Sequence, residues 1–267
     1  MTEHQNQRKT PVQRTFELIS ALLTDNPIYK SIFRTGYPST LLKRMAVMRS
    51  SFYMHIFPTK VGEHGLRLRY SWCMGGITFF LFLLLALTGV LLMFYYVPEE
   101  HRAFNDMKDL RFMVPFGVVL RNMHRWAAHG MVLAVMLHMM RVFYTGSYKA
   151  PRQFNWVVGV LLLLFTLLLS FTGYLLPWDQ LGFWAVTVGT NMASATPLMG
   201  YEGPFHELLG VQVDNDIRFA IIGGTRIGPN ALVRAYVWHC VGIPLVATLL
   251  MVLHFWRIRK DGFSGPL

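Results

Sequence analysis

Cysteine is scarce in this chain: its 267 residues include only Cys73 and Cys240. Two cysteines cannot form the disulfide framework that stabilises small secreted domains. The sequence C-x-x-C-H is also absent, which excludes ordinary attachment of a c-type haem. Acidic residues are few as well, 14 against 25 lysines and arginines, so the net charge is +11.

Charge is nearly absent from four long apolar stretches. They cover approximately 72–97, 115–143, 155–176 and 233–256, and each exceeds the ~20 residues that cross a bilayer core. The first contains no charged residue. Together with a hydrophobic content of 53%, this pattern predicts an all-α membrane protein with four transmembrane helices.

The second apolar stretch is the exception, because it contains Arg121, His124, Arg125, His129 and His138. Such groups are costly in lipid unless they face a protein interior. We therefore expect the second and fourth spans to line the bundle interior, with the first and third as supporting helices.

The distribution of basic residues predicts the orientation. The N-terminal segment, the connection between spans two and three and the C-terminal tail hold 17 of the 25 lysines and arginines. By the positive-inside rule both termini lie on the negative side of a bacterial cytoplasmic or thylakoid-like membrane. Topology and anionic lipid explain the net charge, so no nucleic-acid partner is expected.

Outside the spans, residues 1–70 form an extension and 71–267 the four-helix domain. PVQRTFELISALL predicts a short helix, and KSIFRTGYPSTLLKRMAVMRSSFYMHIF an amphipathic element on the membrane surface; a flexible arm that docks on a partner subunit is the alternative. No apolar core with a cleavage site follows the basic N-terminus, so no cleavable signal is expected. The long 177–232 connection should contain short surface helices.

Four histidines have matched spacing: His124 and His138 are 14 residues apart, and His239 and His254 are 15 apart. At ~100° per residue, each helix holds its two imidazoles on roughly one face, about 21–23 Å apart. Spans two and four run in the same direction, so His124 faces His239 near the positive side and His138 faces His254 near the negative side. Two such pairs can ligate two haems, and six-coordinate iron favours electron transfer.

Glycines repeat with the same 14-residue period on the supporting helices. Gly75 and Gly89 lie on the first span, and Gly159 and Gly173 on the third. A missing side chain lets a macrocycle approach the backbone, whereas the alternative is ordinary small-residue packing between helices. The matched period favours haem clearance.

Basic side chains lie beside the histidines at both ends. Arg121 and Arg125 flank His124 and can pair with haem propionates, and Arg259 and Lys260 can do so beyond His254; interfacial anchoring is compatible with this role. His129 lies about 140° from His124 around the helix and is expected to be structural.

Four segments resemble cytochrome b6 of cytochrome b6f complexes, a short relative of the cytochrome b of bc1 complexes. They are SWCMGGIT, RNMHRWAAHGMVLAVMLH, FTGYLLPWDQLGFWAV and HFWRIRKDGFSGPL, and the resemblance covers about 70–267. It implies two b haems on the four histidines and a third haem, held by one thioether at Cys73 next to the negative-side b haem. It also implies haem contacts for Arg121, Arg125 and Arg259, and a quinol pocket that includes Pro177, Trp178, Asp179 and Gln180.

The implied protein is a subunit of a quinol:cytochrome c, or plastocyanin-like acceptor, oxidoreductase. It carries electrons from quinol oxidation at the positive side to quinone reduction at the negative side, coupled to proton translocation. The motif P-E-W-Y is absent, which implies a separate C-terminal cytochrome b subunit. A Rieske iron–sulfur protein, a c-type cytochrome and a dimeric complex are further implied partners. No proton-transfer residue is named; Asp179 is a candidate, with a helix cap as the alternative.

The chain departs from that family in its longer first 70 residues and in extra residues around 211–222, which leave partner identity open. Two other classes also remain: a dihaem anchor of a dehydrogenase or hydrogenase, and a haem-free transporter. The anchors lack the combination of SWCMGGIT and PWDQ.

Overall fold

The computed structural model describes residues 11–24, 39–49 and 72–262, and these contain helices but no strand. In chain order the α-helices are α1 Pro11–Thr24, α2 Leu41–Arg49, α3 Met74–Met93, α4 Ala103–Phe112, α5 Gly117–Tyr144, α6 Gln153–Leu175, α7 Gln180–Ser194, α8 Ile217–Ile222, α9 Pro229–Val237 and α10 Ile243–Asp261. A 3-10 turn covers His206–Leu209, and a π-helical turn, Trp238–Gly242, joins α9 to α10.

Four helices are long and apolar enough to cross a membrane. They are α3, α5, α6 and the continuous helix Pro229–Asp261 built from α9, the π turn and α10, hereafter the first to fourth spans. The predicted all-α architecture with four spans is therefore confirmed. The fourth span, at 33 residues, is longer than its apolar stretch because polar turns extend the helix at both ends.

The spans form a bundle around a central space. The first packs on the second, the second on the third and the third on the fourth. The rings of Phe79 and Phe255, 5.2 Å apart, connect the first span to the fourth. The second and fourth spans therefore face each other across the bundle, as expected for the walls of an interior site. We call its two ends the Cys73 end and the Trp178 end.

The connections carry more helix than the spans required. The 98–114 connection contains α4, and the 177–232 connection contains α7, the 3-10 turn and α8, as predicted for the longer one. Ile222 of α8 is fully buried in a cluster with Leu175, Val186, Ala231 and Ala235. The residues around 211–222 thus pack into the Trp178 end of the bundle.

The N-terminal extension is described only in part. The predicted first helix is present as α1. Of the predicted amphipathic element, α2 and its two preceding residues are described, and the rest lies outside the described residues. The division at residue 70 also lies outside them and stays a prediction.

Candidate functional site

The structure brings the four histidines together as the two pairs expected from their depths. The ring centres of His124 and His239 are 6.2 Å apart, and their planes cross at 74°. Those of His138 and His254 are 6.4 Å apart and cross at 81°. A metal ion binds an imidazole nitrogen at about 2.0 Å, so two rings on opposite sides of one ion have centres roughly 6 Å apart. Both pairs match this separation.

The unequal spacings, 14 and 15 residues, are reconciled by the π-helical turn Trp238–Gly242, which contains His239. A π turn accommodates one residue more than an α turn. The 15 residues from His239 to His254 therefore advance as about 14 do in the regular helix of the second span. Both histidines of each span consequently reach the same interior space.

Each of the four predicted glycines lies against one of the four histidines. A Cβ added at Gly75 would lie 3.6 Å from His138 Cε1, and one at Gly89 would lie 3.3 Å from His124 Cε1. At Gly159 the corresponding distance to His254 is 3.7 Å, and at Gly173 the distance to His239 is 2.5 Å. The glycines therefore admit imidazole rings to the backbone of the supporting spans.

One cavity of about 1140 Å³ connects the two histidine pairs, and all four spans line it. At one end the lining continues past His138 and His254 to Cys73, Arg141 and Arg259. Cys73 is exposed there and lies directly before the first helical turn of α3. The cavity thus has room for large planar groups at both levels and reaches the predicted attachment cysteine.

Hydrogen bonds orient the pair at the Trp178 end. Thr88 Oγ1 lies 2.8 Å from His124 Nδ1. Thr172 Oγ1 lies 3.2 Å from His239 Nδ1, and the carbonyl oxygen of Leu169 lies 3.1 Å from the same nitrogen. In each ring these contacts engage Nδ1 and leave Nε2 for a ligand bond. The sequence offered a signal for them, since each threonine directly precedes one of the paired glycines.

The donor set fits a haem. Across the ranges that the structure describes, no three His, Cys, Asp or Glu side chains converge on one point. Each imidazole pair thus supplies two ligands, and a porphyrin supplies the other four of a six-coordinate iron. The ring separations, the cavity and the close glycines all agree with such a group.

The predicted arginines separate into two places. Arg259 lines the histidine cavity, together with Arg141 and Arg152, which sequence reasoning did not single out. Arg121 and Arg125 line a different pocket of about 250 Å³, shared with Arg111.

The PWDQ segment lies at the Trp178 end, outside the residues that line the histidine cavity. Asp179 caps α7, because its carboxylate accepts a hydrogen bond of 2.8 Å from the Gly182 backbone N–H. The helix cap that was the alternative role for Asp179 is therefore present. Trp178 has a positive φ of 48° and packs against both hydrophobic clusters of this end.

Tyr96 connects the end of the first span to this segment. Its hydroxyl donates a hydrogen bond of 2.6 Å to the Leu176 carbonyl, and its ring stacks on Tyr236 at 5.7 Å. Burial, with a smaller contribution from Cys240, raises the pKa of Tyr96. The phenol therefore stays protonated and keeps donating this bond. No signal in the sequence singled out this contact.

Comparisons with known proteins agree on one family. The family model described as Cytochrome b/b6/petB matches residues 64–262. Cytochrome b6 of Heliomicrobium gestii is 40% identical over 195 residues, which cover 73% of this chain and 85% of that protein. Cytochrome b6 of Heliobacterium modesticaldum is 39% identical over 207 residues, 78% of this chain and 90% of that protein.

A solved structure extends the likeness to three dimensions. A chain of a hyperthermophilic respiratory Complex III superposes with a TM-score of 0.66 at 25% sequence identity. The match covers 83% of this chain but only 54% of that one. The solved chain is therefore considerably longer than the part that this bundle resembles.

Proposed function

Because the chain belongs to the cytochrome b/b6 family, we propose that it is the haem-carrying subunit of a membrane quinol oxidoreductase. The observation that carries the proposal is the pair of imidazole pairs, with ring centres 6.2 Å and 6.4 Å apart, on one cavity. Bound there, two b haems would supply one-electron transfer between the two ends of the bundle.

The histidines would be the axial ligands, His124 with His239 and His138 with His254. Two protein ligands per iron leave no position open for oxygen or substrate, which suits electron transfer. Gly75, Gly89, Gly159 and Gly173 would admit the rings to the neighbouring backbone. Arg259 would neutralise propionates at the Cys73 end, together with Arg141 and Arg152. Arg121 and Arg125 would meet propionates at the other end only by turning out of their own pocket.

Quinol oxidation is assigned to the Trp178 end, on the positive side, and quinone reduction to the Cys73 end, on the negative side. Pro177, Trp178, Asp179 and Gln180 would form one wall of the quinol pocket. A separate C-terminal cytochrome b subunit would supply the other wall. A Rieske protein and a c-type cytochrome would complete a dimeric complex, with protons released on the positive side.

Cys73 is proposed to bind a third haem through one thioether bond. Two features support this role: the cysteine is exposed at the cavity, and it precedes Gly75, which lies against His138. Its surroundings include Arg141 and Arg259, which suit acidic propionates. The same end would then hold the quinone-reducing site.

Haem content of the purified complex tests the ligand assignment. We expect two b haems per chain, and His254→Leu should remove one of them while the His124–His239 haem remains. His129→Leu is the matched control, because His129 lies on the same span as His124 but is exposed beside Trp126. A wild-type complex without b haem, or loss of haem in the control alone, would contradict the proposal.

A haem stain of the denatured chain on a gel tests the third haem separately. Only a covalently attached haem survives denaturation, so the band of this chain should stain in wild type and not in Cys73→Ala. Cys240→Ala is the control and should keep the stain. An unstained wild-type band with intact b-type spectra would leave a dihaem subunit and exclude the thioether.

A further inference from the structure

The two histidine pairs differ in what contacts the nitrogen that faces away from the ligand bond. At the Trp178 end both Nδ1 atoms have hydrogen-bonding partners, and at the Cys73 end neither has one among the described residues. We infer that Thr88 and Thr172 are positioning residues that lower the reduction potential of the His124–His239 site relative to the His138–His254 site. This inference rests on the proposed haem binding.

The contact at His124 has a defined direction. Thr88 is 2% exposed, and its single hydroxyl proton is donated to the Leu84 carbonyl at 2.7 Å. The oxygen of the same hydroxyl is then the acceptor for His124 Nδ1 at 2.8 Å. The proton therefore lies on Nδ1, and Nε2 carries the lone pair that binds a metal.

The contact at His239 leads to the same tautomer by a stricter argument. A carbonyl oxygen can only accept, so the Leu169 carbonyl at 3.1 Å requires a proton on His239 Nδ1. Thr172 donates its own hydroxyl to Leu168 at 2.8 Å and accepts from the same Nδ1 at 3.2 Å. Both ligands of this site are thus N–H donors to protein oxygens.

The other pair lacks such acceptors. His138 Nδ1 and His254 Nδ1 are buried, and no oxygen in the described ranges is placed to accept from them in hydrogen-bonding geometry. The backbone of Asn155 lies near His254 without making such a bond to Nδ1. The difference therefore affects both ligands of each site.

The chemical consequence follows from ligand basicity. An imidazole whose N–H is hydrogen-bonded becomes a stronger electron donor to its metal. Stronger donation stabilises the oxidised metal and lowers the reduction potential. An electron that arrives at the Trp178 end would then move spontaneously toward the Cys73 end, the direction that the proposed function requires.

Other threonines show that helix geometry alone does not explain these contacts. Thr78 and Thr166 also donate to backbone carbonyls of their own helices, at 2.8 Å each, and both line the same cavity. Neither makes a hydrogen bond to a histidine among the described residues. They are therefore matched controls, one on each supporting span.

The test is a spectroscopic redox titration of the intact complex. Thr88→Val and Thr172→Val keep the shape of the side chain and remove the acceptor, so each should raise the potential of one haem and leave the other unchanged. We expect a change of about tenfold in the equilibrium constant for reduction, about 59 mV for one electron. Thr88→Ser and Thr172→Ser should restore the wild-type potential.

Three results would overturn the inference: no shift in either valine variant, equal shifts of both haems, or the same shift in Thr78→Val and Thr166→Val. Thr88→Ala and Thr172→Ala provide a second test if a valine variant loses its haem, and they must shift the same haem upward. Haem content separates the two proposals. A wild type without two b haems contradicts the proposed function, whereas two haems with unchanged potentials contradict only the role of the threonines.

Discussion

Gly173 lies closer to His239 than an added methyl group permits: a Cβ at position 173 would come within 2.5 Å of His239 Cε1 and 3.1 Å of Nδ1. Real Cβ atoms do not approach other atoms so closely, so the ring or the backbone would have to move. At Gly89 the equivalent distance is 3.3 Å, and at Gly75 and Gly159 it is 3.6 Å and 3.7 Å. The four glycines should therefore tolerate alanine unequally.

Gly173→Ala is expected to displace the His239 ring and to weaken or abolish haem binding at the His124–His239 site. Gly159→Ala, on the same span, should leave both haems in place, because its added Cβ makes only ordinary van der Waals contact. The measurement is haem per chain and the reduced-minus-oxidised spectrum of the purified complex.

Gly76→Ala is the control for a general effect of alanine in these helices. A Cβ at Gly76 meets nothing within 4 Å, so haem content should stay at the wild-type level. Equal haem loss in Gly76→Ala and Gly173→Ala would show that close contact with histidine is not the cause.

The 14-residue period was sufficient to predict these glycines from the sequence, because helical geometry places residues of equal period at equal depths. It was not sufficient to predict their neighbours. Haem clearance was the expectation, whereas the glycines contact the histidine rings themselves. That contact depends on which spans are adjacent, and a single helix pattern does not contain this information.

Deleting Val241 should preserve both haem sites. Val241 lies in the π turn and is 55% exposed, and its removal would convert that turn to a regular α-helical one. The distance from His239 to His254 would become 14 residues, as between His124 and His138. Haem content and both potentials should therefore stay close to those of wild type.

Deleting Leu133 is the matched control, since it lies between His124 and His138 and is 62% exposed. The second span is α-helical throughout, so the deletion would rotate one histidine by about 100° relative to the other. At least one haem should be lost. Haem loss in the Val241 deletion with retention in the Leu133 deletion would contradict the role of the π turn.

The connection between spans three and four shows where sequence reasoning ends. Short helices were predicted there, but the extra residues around 211–222 were interpreted as a surface for partners. In the structure Asp216 caps α8 with a bond of 2.6 Å from the Phe219 N–H, and Ile222 is fully buried. A six-residue helix has too little periodicity to reveal which side is buried.

Tyr96→Phe should weaken quinol binding without changing the haem spectra. The substitution removes the hydrogen bond to Leu176, whose carbonyl directly precedes the PWDQ segment. We expect a stability loss of about 1 kcal/mol and an increased KM for quinol. Burial raises the pKa of Tyr96, so the phenol is protonated at every assay pH and the ratio of mutant to wild-type KM should be constant between about pH 6 and pH 9.

Tyr95→Phe is the control, because Tyr95 lies beside Tyr96 but is 47% exposed. It should leave KM unchanged. A Tyr96→Phe effect that disappears toward high pH would indicate an ionising phenol and would contradict this account.

A buried ion pair near the Cys73 end provides a stability test that is independent of the haems. Arg257 and Asp261 are 3.0 Å apart, with side chains 0% and 1% exposed, and the Arg257 guanidinium also lies over the Phe154 ring at 5.1 Å. Removing one partner leaves a buried charge without its counter-charge, which costs about 3–5 kcal/mol. Arg257→Leu and Asp261→Leu should each lower the thermal unfolding temperature of the complex strongly.

The double variant Arg257→Leu/Asp261→Leu should recover most of that stability, because replacing a whole buried pair by apolar side chains is often nearly neutral. Arg102 and Asp106 are the matched control pair: they have the same four-residue spacing, but Arg102 is 57% exposed and the atoms are 3.8 Å apart. Arg102→Leu should change stability by less than about 1 kcal/mol. If the double variant is as unstable as the sum of the single ones, the loss reflects each side chain's own packing rather than the coupling of their charges.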